Sequence, residues 1–186
     1  RLLSYSDDKT LRVWNLKSGK TIHTLNGHTD AVRKVIPLQD GSIASYSGKN
    51  SALSAQQDCS IHIWDGKKWG LREKIDTVCE TTKIYSKTTG VWDVRELDNE
   101  KLLIWSDFFI ALYDRESKTT TPLRVHEIGV NIFDMAIFTD DSMWFTSLSH
   151  DLFFADATQS NQEQTRVKGH SSNVFQIESI GKNRLA

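Results

Sequence analysis

Apolar and polar residues alternate along the chain over short runs instead of recurring at helical spacing. The clearest runs are Leu11-Arg12-Val13-Trp14 and Ile61-His62-Ile63-Trp64. Ser, Thr, Val, Ile and aromatic residues are frequent, and clusters of turn-forming residues separate the runs at roughly ten-residue intervals. Because side chains on a strand alternate between two faces, this pattern predicts many short antiparallel strands.

The predicted strands group into a unit that recurs along the chain. Each unit has a first strand, a polar hairpin turn, a second strand, and a third strand that ends in an aromatic residue followed by Asn or Asp. The first strands are expected at residues 32–38, 91–97, 132–138 and 174–180. The aromatic-polar pairs are Trp14-Asn15, Trp64-Asp65 and Tyr113-Asp114, and Gly-His dipeptides lead into new units at Gly27-His28 and Gly169-His170.

With these motifs the chain resembles the WD40 repeat family. The resemblance covers nearly the whole chain, is most specific over residues 2–35, and is degenerate over residues 91–114 and 132–156. It implies an all-β fold in which four-stranded antiparallel sheets form the blades of a β-propeller around a central channel.

Residues 1 and 184 occupy the same place in the repeat, so about four repeats of roughly 46 residues fit between them. We therefore expect residues 1–186 to be a single WD40 repeat region, a partial propeller of about four blades with both ends cut within a blade. A fragment of this kind would expose strand edges and self-associate when isolated. The alternative is a small ring, or an oligomer that completes itself.

The resemblance also implies a buried hydrogen-bond network in each blade, made of a loop His, a second-strand Ser or Thr, a turn Asp and the Trp. Buried imidazole and indole nitrogens need such partners. The matching positions are His28, Ser45, Asp58 and Trp64 in one complete set, and Ser4, Asp8 and Trp14 in a second set whose His would precede Arg1. The third and fourth units lose most of these residues and are expected to depend on apolar packing.

The second-strand serine of the complete set has two candidates. If Ser45 is the network residue, an insertion at 48–57 lies between the second and third strands. If Ser54 is the network residue, the extra residues lie between the first two strands instead. The two alignments place the long loop at opposite ends of the blade, and the sequence leaves both open.

Composition excludes several classes of function. The 23 Lys and Arg residues against 24 Asp and Glu give a formal charge of −1, which argues against a broad basic surface for nucleic acid or an anionic membrane. No apolar run approaches the ~18 residues of a membrane span. Two widely separated cysteines, Cys59 and Cys79, are typical of a reduced cytoplasmic or nuclear protein.

Motifs for catalysis, cofactors and metals are missing as well. The sequence has no phosphate-binding loop and no G-x-S-x-G elbow, and its histidines lack metal-ligand spacing. The His-Ser-Asp set suggests a hydrolase triad, but its recurrence at structural spacing favours a role in the framework. A propeller hydrolase is also disfavoured because Ser6-Asp7-Asp8-Lys9-Thr10 lacks the glycine and tryptophan of sialidase-type turns. We predict that the protein is not an enzyme and uses no cofactor.

The family resemblance instead implies a scaffold that binds a peptide or a protein on the propeller rim. In that family, the residue after the apolar residue that opens each innermost strand borders the channel mouth. These positions are Arg33, Trp92, Phe133 and Phe175. Aromatic and arginine side chains are enriched in interaction hot spots, although the same aromatics could pack between blades. The alternative function is a regulatory or substrate-recognition module of a larger enzyme, such as a ubiquitin ligase or a kinase-linked protein.

Overall fold

A computed structural model describes residues 1–47, 58, 60–76, 91, 93–97, 100–105, 110–123, 132–137, 142–147, 151–156, 165–172, 174 and 177, with the backbone alone for part of the later strands. Within these ranges the chain forms fifteen β-strands and no helix, and hence no helix able to span a membrane. The predicted all-β class is confirmed.

The strands form four antiparallel sheets in which strands consecutive along the chain are also neighbours in the sheet. The first sheet contains β1 (Leu2–Tyr5), β2 (Leu11–Trp14) and β3 (Thr21–Leu25). The second contains β4 (Lys34–Pro37), β5 (Ile43–Tyr46), β6 (Ile61–Trp64) and β7 (Leu71–Ile75). The third contains β8 (Asp93–Glu96), β9 (Lys101–Trp105), β10 (Ile110–Asp114) and β11 (Thr119–Leu123). The fourth contains β12 (Ile132–Ile137), β13 (Ser142–Ser147), β14 (Asp151–Asp156) and β15 (Thr165–Lys168).

The contacts divide the chain into two compact units, residues 1–94 and 95–186. In the first unit, side chains of the first two sheets share an apolar cluster formed by Leu11, Leu25, Val32 and Trp64. All four residues of β6 are buried, so both faces of this strand are covered. The second unit has an apolar third sheet, in which Leu102, Leu103, Ile104 and Trp105 are buried on one strand.

The hairpin turns that follow the aromatic residues share one hydrogen-bond pattern. The side-chain Oδ1 of Asn15, Asp65 and Asp114 accepts backbone N–H groups two and three residues further on, at 2.7–3.2 Å. The bonds from the Lys68 and Ser117 amides are the main reason why the pKa values of Asp65 and Asp114 lie below their usual range. The polar half of the aromatic-polar signature is therefore a turn-forming residue.

These turns also share a left-handed backbone position four residues after the Asn or Asp. It is filled by Gly19 (φ 65°), Trp69 (φ 60°) and Lys118 (φ 57°). Glycine adopts this conformation without strain, whereas a bulky side chain there is uncommon. Trp69 compensates by packing against the shared apolar cluster of the first two sheets.

Gly66 of the second turn is expected to tolerate no side chain. A Cβ on Gly66 would lie 1.9 Å from the carbonyl oxygen of Gly41, whereas a Cβ on Gly70 would meet nothing within 4 Å. Because the obstacle is backbone, Gly66→Ala must displace a turn and should lower the free energy of unfolding by about 2 kcal/mol. Gly70→Ala, four residues away, should change it by less than about 0.5 kcal/mol. Equal urea midpoints for the two variants would contradict this packing.

Candidate functional site

The candidate site lies where the loop between β3 and β4 meets the residues that precede β6. The loop is fixed at its end, because the Val32 amide donates to the Ser6 carbonyl (3.1 Å) and the Arg33 amide to the Tyr46 carbonyl (3.0 Å). These bonds hold the loop across the ends of the first two sheets. His28 projects from it into the second sheet and is buried.

A one-way chain of hydrogen bonds runs from Trp64 to Asp58. The indole Nε1 of Trp64 can only donate, and it donates to Ser45 Oγ at 2.8 Å. In the neutral ring of His28, Nε2 accepts from the Ser45 hydroxyl at 2.8 Å and the proton lies on Nδ1, because the Asp58 carboxylate that faces Nδ1 can only accept. That N–H donates to Asp58 Oδ2 at 2.9 Å. Ser45 makes these contacts, and Ser54 lies outside the described residues.

Asp58 is the acceptor at which the hydrogen bonds converge. It also accepts the backbone N–H groups of Thr29 (2.8 Å) and Ser60 (3.0 Å), together with the Ser60 hydroxyl. Burial alone would raise the pKa of Asp58, but these bonds and the one from His28 outweigh burial and hold it well below its usual range. The carboxylate therefore stays ionised although it is almost fully buried.

His62 is a member of this cluster that the sequence analysis did not identify. Its ring stacks on His28 with centroids 3.9 Å apart and an interplanar angle of 12°. Since the Ser60 hydroxyl donates to Asp58, His62 must donate its Nε2 proton to Ser60 Oγ (3.0 Å). His62 Nδ1 is left buried with no partner among the described residues. A Cβ added to Gly27 would lie 3.1 Å from this nitrogen. Burial, and next the nearby His28, lower the pKa of His62 to about 4.

The signal for His62 was present in the strand pattern. Trp64 and His62 are two residues apart on β6, so both side chains project from the same face of the sheet. Because Trp64 had to face Ser45 and His28, His62 had to face them as well.

The ligand atoms of His28, Asp58 and His62 lie within 4.8 Å of one another, which is close enough for a shared metal ion. The two imidazole rings are nearly parallel and stacked, and a metal ion binds in the plane of each ring, so no ion can lie in both planes. Both nitrogens of His28 are already used by Asp58 and Ser45. The arrangement suits a hydrogen-bonded core and does not suit a metal ion.

The first sheet contains part of the same arrangement. The Trp14 indole donates to Ser4 Oγ at 2.8 Å, as Trp64 does to Ser45. Asp8 is exposed and bonds only locally, to Thr10 and Arg12 at its own turn and to the Ser6 side chain. Ser4 and Trp14 therefore pair, whereas Asp8 serves its own turn.

Arg33 is the rim candidate whose side chain the structure describes. Its guanidinium pairs with Asp7 at 2.7 Å, and the two side chains are 42 % and 76 % exposed. Both therefore lie open to a partner. Trp92, Phe175 and the 48–57 loop lie outside the described residues, and Phe133 lies on β12 with its side chain outside them.

Next to Arg33, Lys34 and Tyr46 both contact Asp93. The Lys34 ammonium lies 2.7 Å from each oxygen of Asp93, and the Tyr46 hydroxyl donates to the same carboxylate. Burial, and next the charge of Asp93, raise the pKa of Tyr46 far above its usual range, so this hydroxyl stays protonated. These contacts hold β4 against the first residue of β8, next to Arg33.

Comparison with known proteins gives a family for part of the chain. Residues 19–65 match the family model described as WD domain, G-beta repeat. The chain is 38 % identical over 64 residues to nuclear distribution protein PAC1 of Arthroderma otae, which covers 34 % of this chain and 12 % of that protein. It is 32 % identical over 107 residues to WD repeat-containing protein 41 of Homo sapiens, covering 57 % of this chain and 23 % of that protein.

A shorter match is 51 % identical over 37 residues to the probable E3 ubiquitin ligase complex SCF subunit sconB of Arthroderma otae, covering 20 % of this chain and 6 % of that protein. The aligned parts are thus a small share of these longer relatives. The family model falls on the first two sheets, where His28, Ser45 and Trp64 are joined by hydrogen bonds. On this fold, this network and these matches, residues 19–65 of the chain contain a WD40 repeat.

Proposed function

We propose that the protein is a non-catalytic scaffold that binds a protein or peptide partner through the loops at the His28 end of its sheets. WD40 repeats in general indicate protein-interaction scaffolds. The observation that carries the proposal is that Ser45, His28 and Asp58, which resemble a catalytic triad in their residue types, are buried. Ser45 is completely buried and accepts the Trp64 indole proton on the oxygen that a nucleophile would need. Ser45, His28 and Asp58 therefore hold the scaffold together.

The same end of the sheets offers exposed groups on a rigid base. The Arg33–Asp7 pair is open to solvent, while the backbone beneath it is tied to the neighbouring strands. Loops that are held by a buried network suit recognition, because their side chains can vary without disturbing the sheets. We propose a contact surface centred on Arg33, with Trp92, Phe133 and Phe175 as its further positions.

We extend the proposal to the chain as a whole and to its surroundings. Residues 1–186 are proposed to be a single WD40 repeat region that acts in the cytoplasm or nucleus. Its partner is proposed to be a protein, with no role for nucleic acid or a membrane, because the chain is nearly neutral overall.

The alternative is a substrate-recognition module of a ubiquitin ligase or another larger enzyme. It is supported by the 51 % identity to the SCF subunit, but that match extends over only 37 residues. This length is that of about one repeat. Reconstituted ubiquitin transfer that depends on this protein would favour the alternative over a plain scaffold.

The rim surface can be tested by charge exchange at the Arg33–Asp7 pair. Affinity capture with the wild-type chain, read by mass spectrometry, defines the partner set. Arg33→Asp is expected to reduce capture at least fivefold because it removes the exposed cation. The double variant Arg33→Asp/Asp7→Arg restores the ion pair with its charges exchanged. It should still fail to capture the partner if that partner binds the cation at position 33.

If the double variant captures the partner as well as the wild type does, Arg33 stabilises the loop through its ion pair with position 7 and does not contact the partner. Trp92→Ala and Phe133→Ala extend the test to the aromatic positions, with Lys168→Glu as an exposed control. Unchanged capture by all rim variants, with intact circular dichroism, would remove the proposal.

A further inference from the structure

The two turns that follow Trp14 and Trp64 carry a local excess of positive charge. The hairpins at residues 15–25 and 65–75 hold six of the 23 Lys and Arg residues but only two of the 24 Asp and Glu residues. The rest of the chain is therefore net negative. This asymmetry is concealed by an overall charge close to zero.

Four of the six cations are free to meet a partner. Arg72 pairs with Asp40 and Lys74 with Asp76, both at less than 3 Å. The remaining four are exposed and have no carboxylate within 4 Å among the described residues. They are Lys17, Lys20, Lys67 and Lys68.

Contacts to Trp69 show that the two turns are neighbours. The Arg1 guanidinium lies 5.7 Å from the centre of the Trp69 ring, and the His23 ring stacks on it at 6.1 Å. Since Leu2 pairs with Trp14, Arg1 lies at the end of the first sheet that carries the 15–20 turn. The two turns therefore form one surface, which we call the lysine turns (residues 15–20 and 65–70).

Apolar side chains accompany these charges. Leu16 is 67 % exposed within the first lysine turn, and Leu71 is 47 % exposed directly after the second. Trp69 is half-buried and holds a left-handed backbone conformation that bulky residues seldom adopt. Exposed leucines between unpaired lysines are complementary to a segment in which carboxylates and apolar residues are mixed.

We propose that the lysine turns are a second binding surface, which takes an acidic, leucine-containing segment of a protein partner. The surface lies away from the Arg33 rim, because the hairpins turn at the opposite end of β2 and β6 from the residues around Ser6 and Asp58. A bilayer fits less well than a peptide, because a flat anionic surface would also meet the net negative remainder of the chain. The two surfaces are independent of each other.

The test uses a fluorescein-labelled peptide of four Glu-Glu-Leu repeats and fluorescence anisotropy. The wild-type chain should bind this peptide, and more weakly as the salt concentration rises. The variant Lys17→Glu/Lys20→Glu/Lys67→Glu/Lys68→Glu should bind it at least tenfold more weakly. The control variant Lys9→Glu/Lys101→Glu/Lys118→Glu/Lys168→Glu has the same net charge and should lose less than threefold.

Equal losses in the two quadruple variants would show that only net charge matters and would overturn the proposal. No binding by the wild-type chain, or stronger binding to phosphatidylserine vesicles than to the peptide, would also overturn it. Leu16→Ser should weaken peptide binding about threefold, and an unchanged affinity would remove the apolar part of the surface. Circular dichroism of each variant establishes that the sheets are intact.

Discussion

Replacing Asp58 with alanine is expected to lower the free energy of unfolding by about 3–5 kcal/mol, because it removes one partner of a buried, hydrogen-bonded pair. The carboxylate accepts bonds from His28, Thr29 and Ser60. Without it the buried donors of His28 and Ser60 are left unpaired, and each unpaired buried donor costs about 1–3 kcal/mol. Urea unfolding followed by tryptophan fluorescence measures the loss, with Trp64 as a reporter close to the change.

Asp8 supplies a matched control within the same chain. Both carboxylates accept the backbone N–H and the hydroxyl of the residue two positions on, which is Thr10 for Asp8 and Ser60 for Asp58. Only Asp58 adds the bonds from His28 and from the Thr29 amide. Asp8→Ala should therefore leave the urea midpoint close to that of the wild type, and equal effects of the two substitutions would refute a network centred on His28.

A double-mutant cycle separates the His28–Asp58 bond from the local turn. If the bond is the main stabilising contact, Asp58→Ala should cost much less in a His28→Ala background than in the wild type. Should Asp58→Ala fail to fold, Asp58→Asn keeps one acceptor oxygen and should show a smaller loss in the same direction. Additive effects in the cycle would contradict the coupling.

The repeat pattern predicted the fold because the sequence of each sheet contains both the pattern of its strands and the polar residues of its turns. Alternation over four residues defines strands such as β6, and the polar residue after each aromatic one forms the turn that ends the strand. The degenerate third unit still folds as a sheet, and Leu102, Ile104 and their neighbours are buried in it.

The site was less predictable, because its members come from distant parts of the chain. The sequence could not choose between Ser45 and Ser54, since both fit an alignment, and the hydrogen bonds to His28 and Trp64 are made by Ser45. His62 carries no family signature, and its place follows only from the face that it shares with Trp64. Asp8 also matches the family pattern, and it bonds to Thr10 within its own turn.

Acid is expected to destabilise the protein through His62 well above the pH at which carboxylates titrate. In the unfolded chain this imidazole titrates near its ordinary pKa of about 6.5, whereas burial and the neighbouring His28 lower its pKa to about 4 in the folded state. Between these values the unfolded state binds more protons, so stability falls as the pH drops from about 6.5 to about 4. The loss reaches about 3 kcal/mol at the lower limit.

Packing around the His62 ring explains why its pKa is lowered and indicates which variant can serve as the control. A second proton on His62 would have to enter at Nδ1, which is buried with no acceptor among the described residues. Lys74 disfavours the charged ring, whereas the opposing carboxylates of Asp58 and Asp76 do not compensate for burial. His62→Phe keeps an aromatic ring against His28 but cannot titrate, so its stability should be nearly flat between pH 6.5 and 4.5.

The comparison is made with urea midpoints at half-unit steps of pH for the wild type, for His62→Phe and for His23→Gln, whose histidine is exposed. His23→Gln should follow the wild-type slope. Parallel curves for the wild type and His62→Phe would show that the stacked histidine is not the titrating group. Below about pH 4 both proteins should lose stability together. The pKa of Asp58 is held low in the folded state, so at this pH the unfolded chain binds a proton at Asp58 that the folded chain does not.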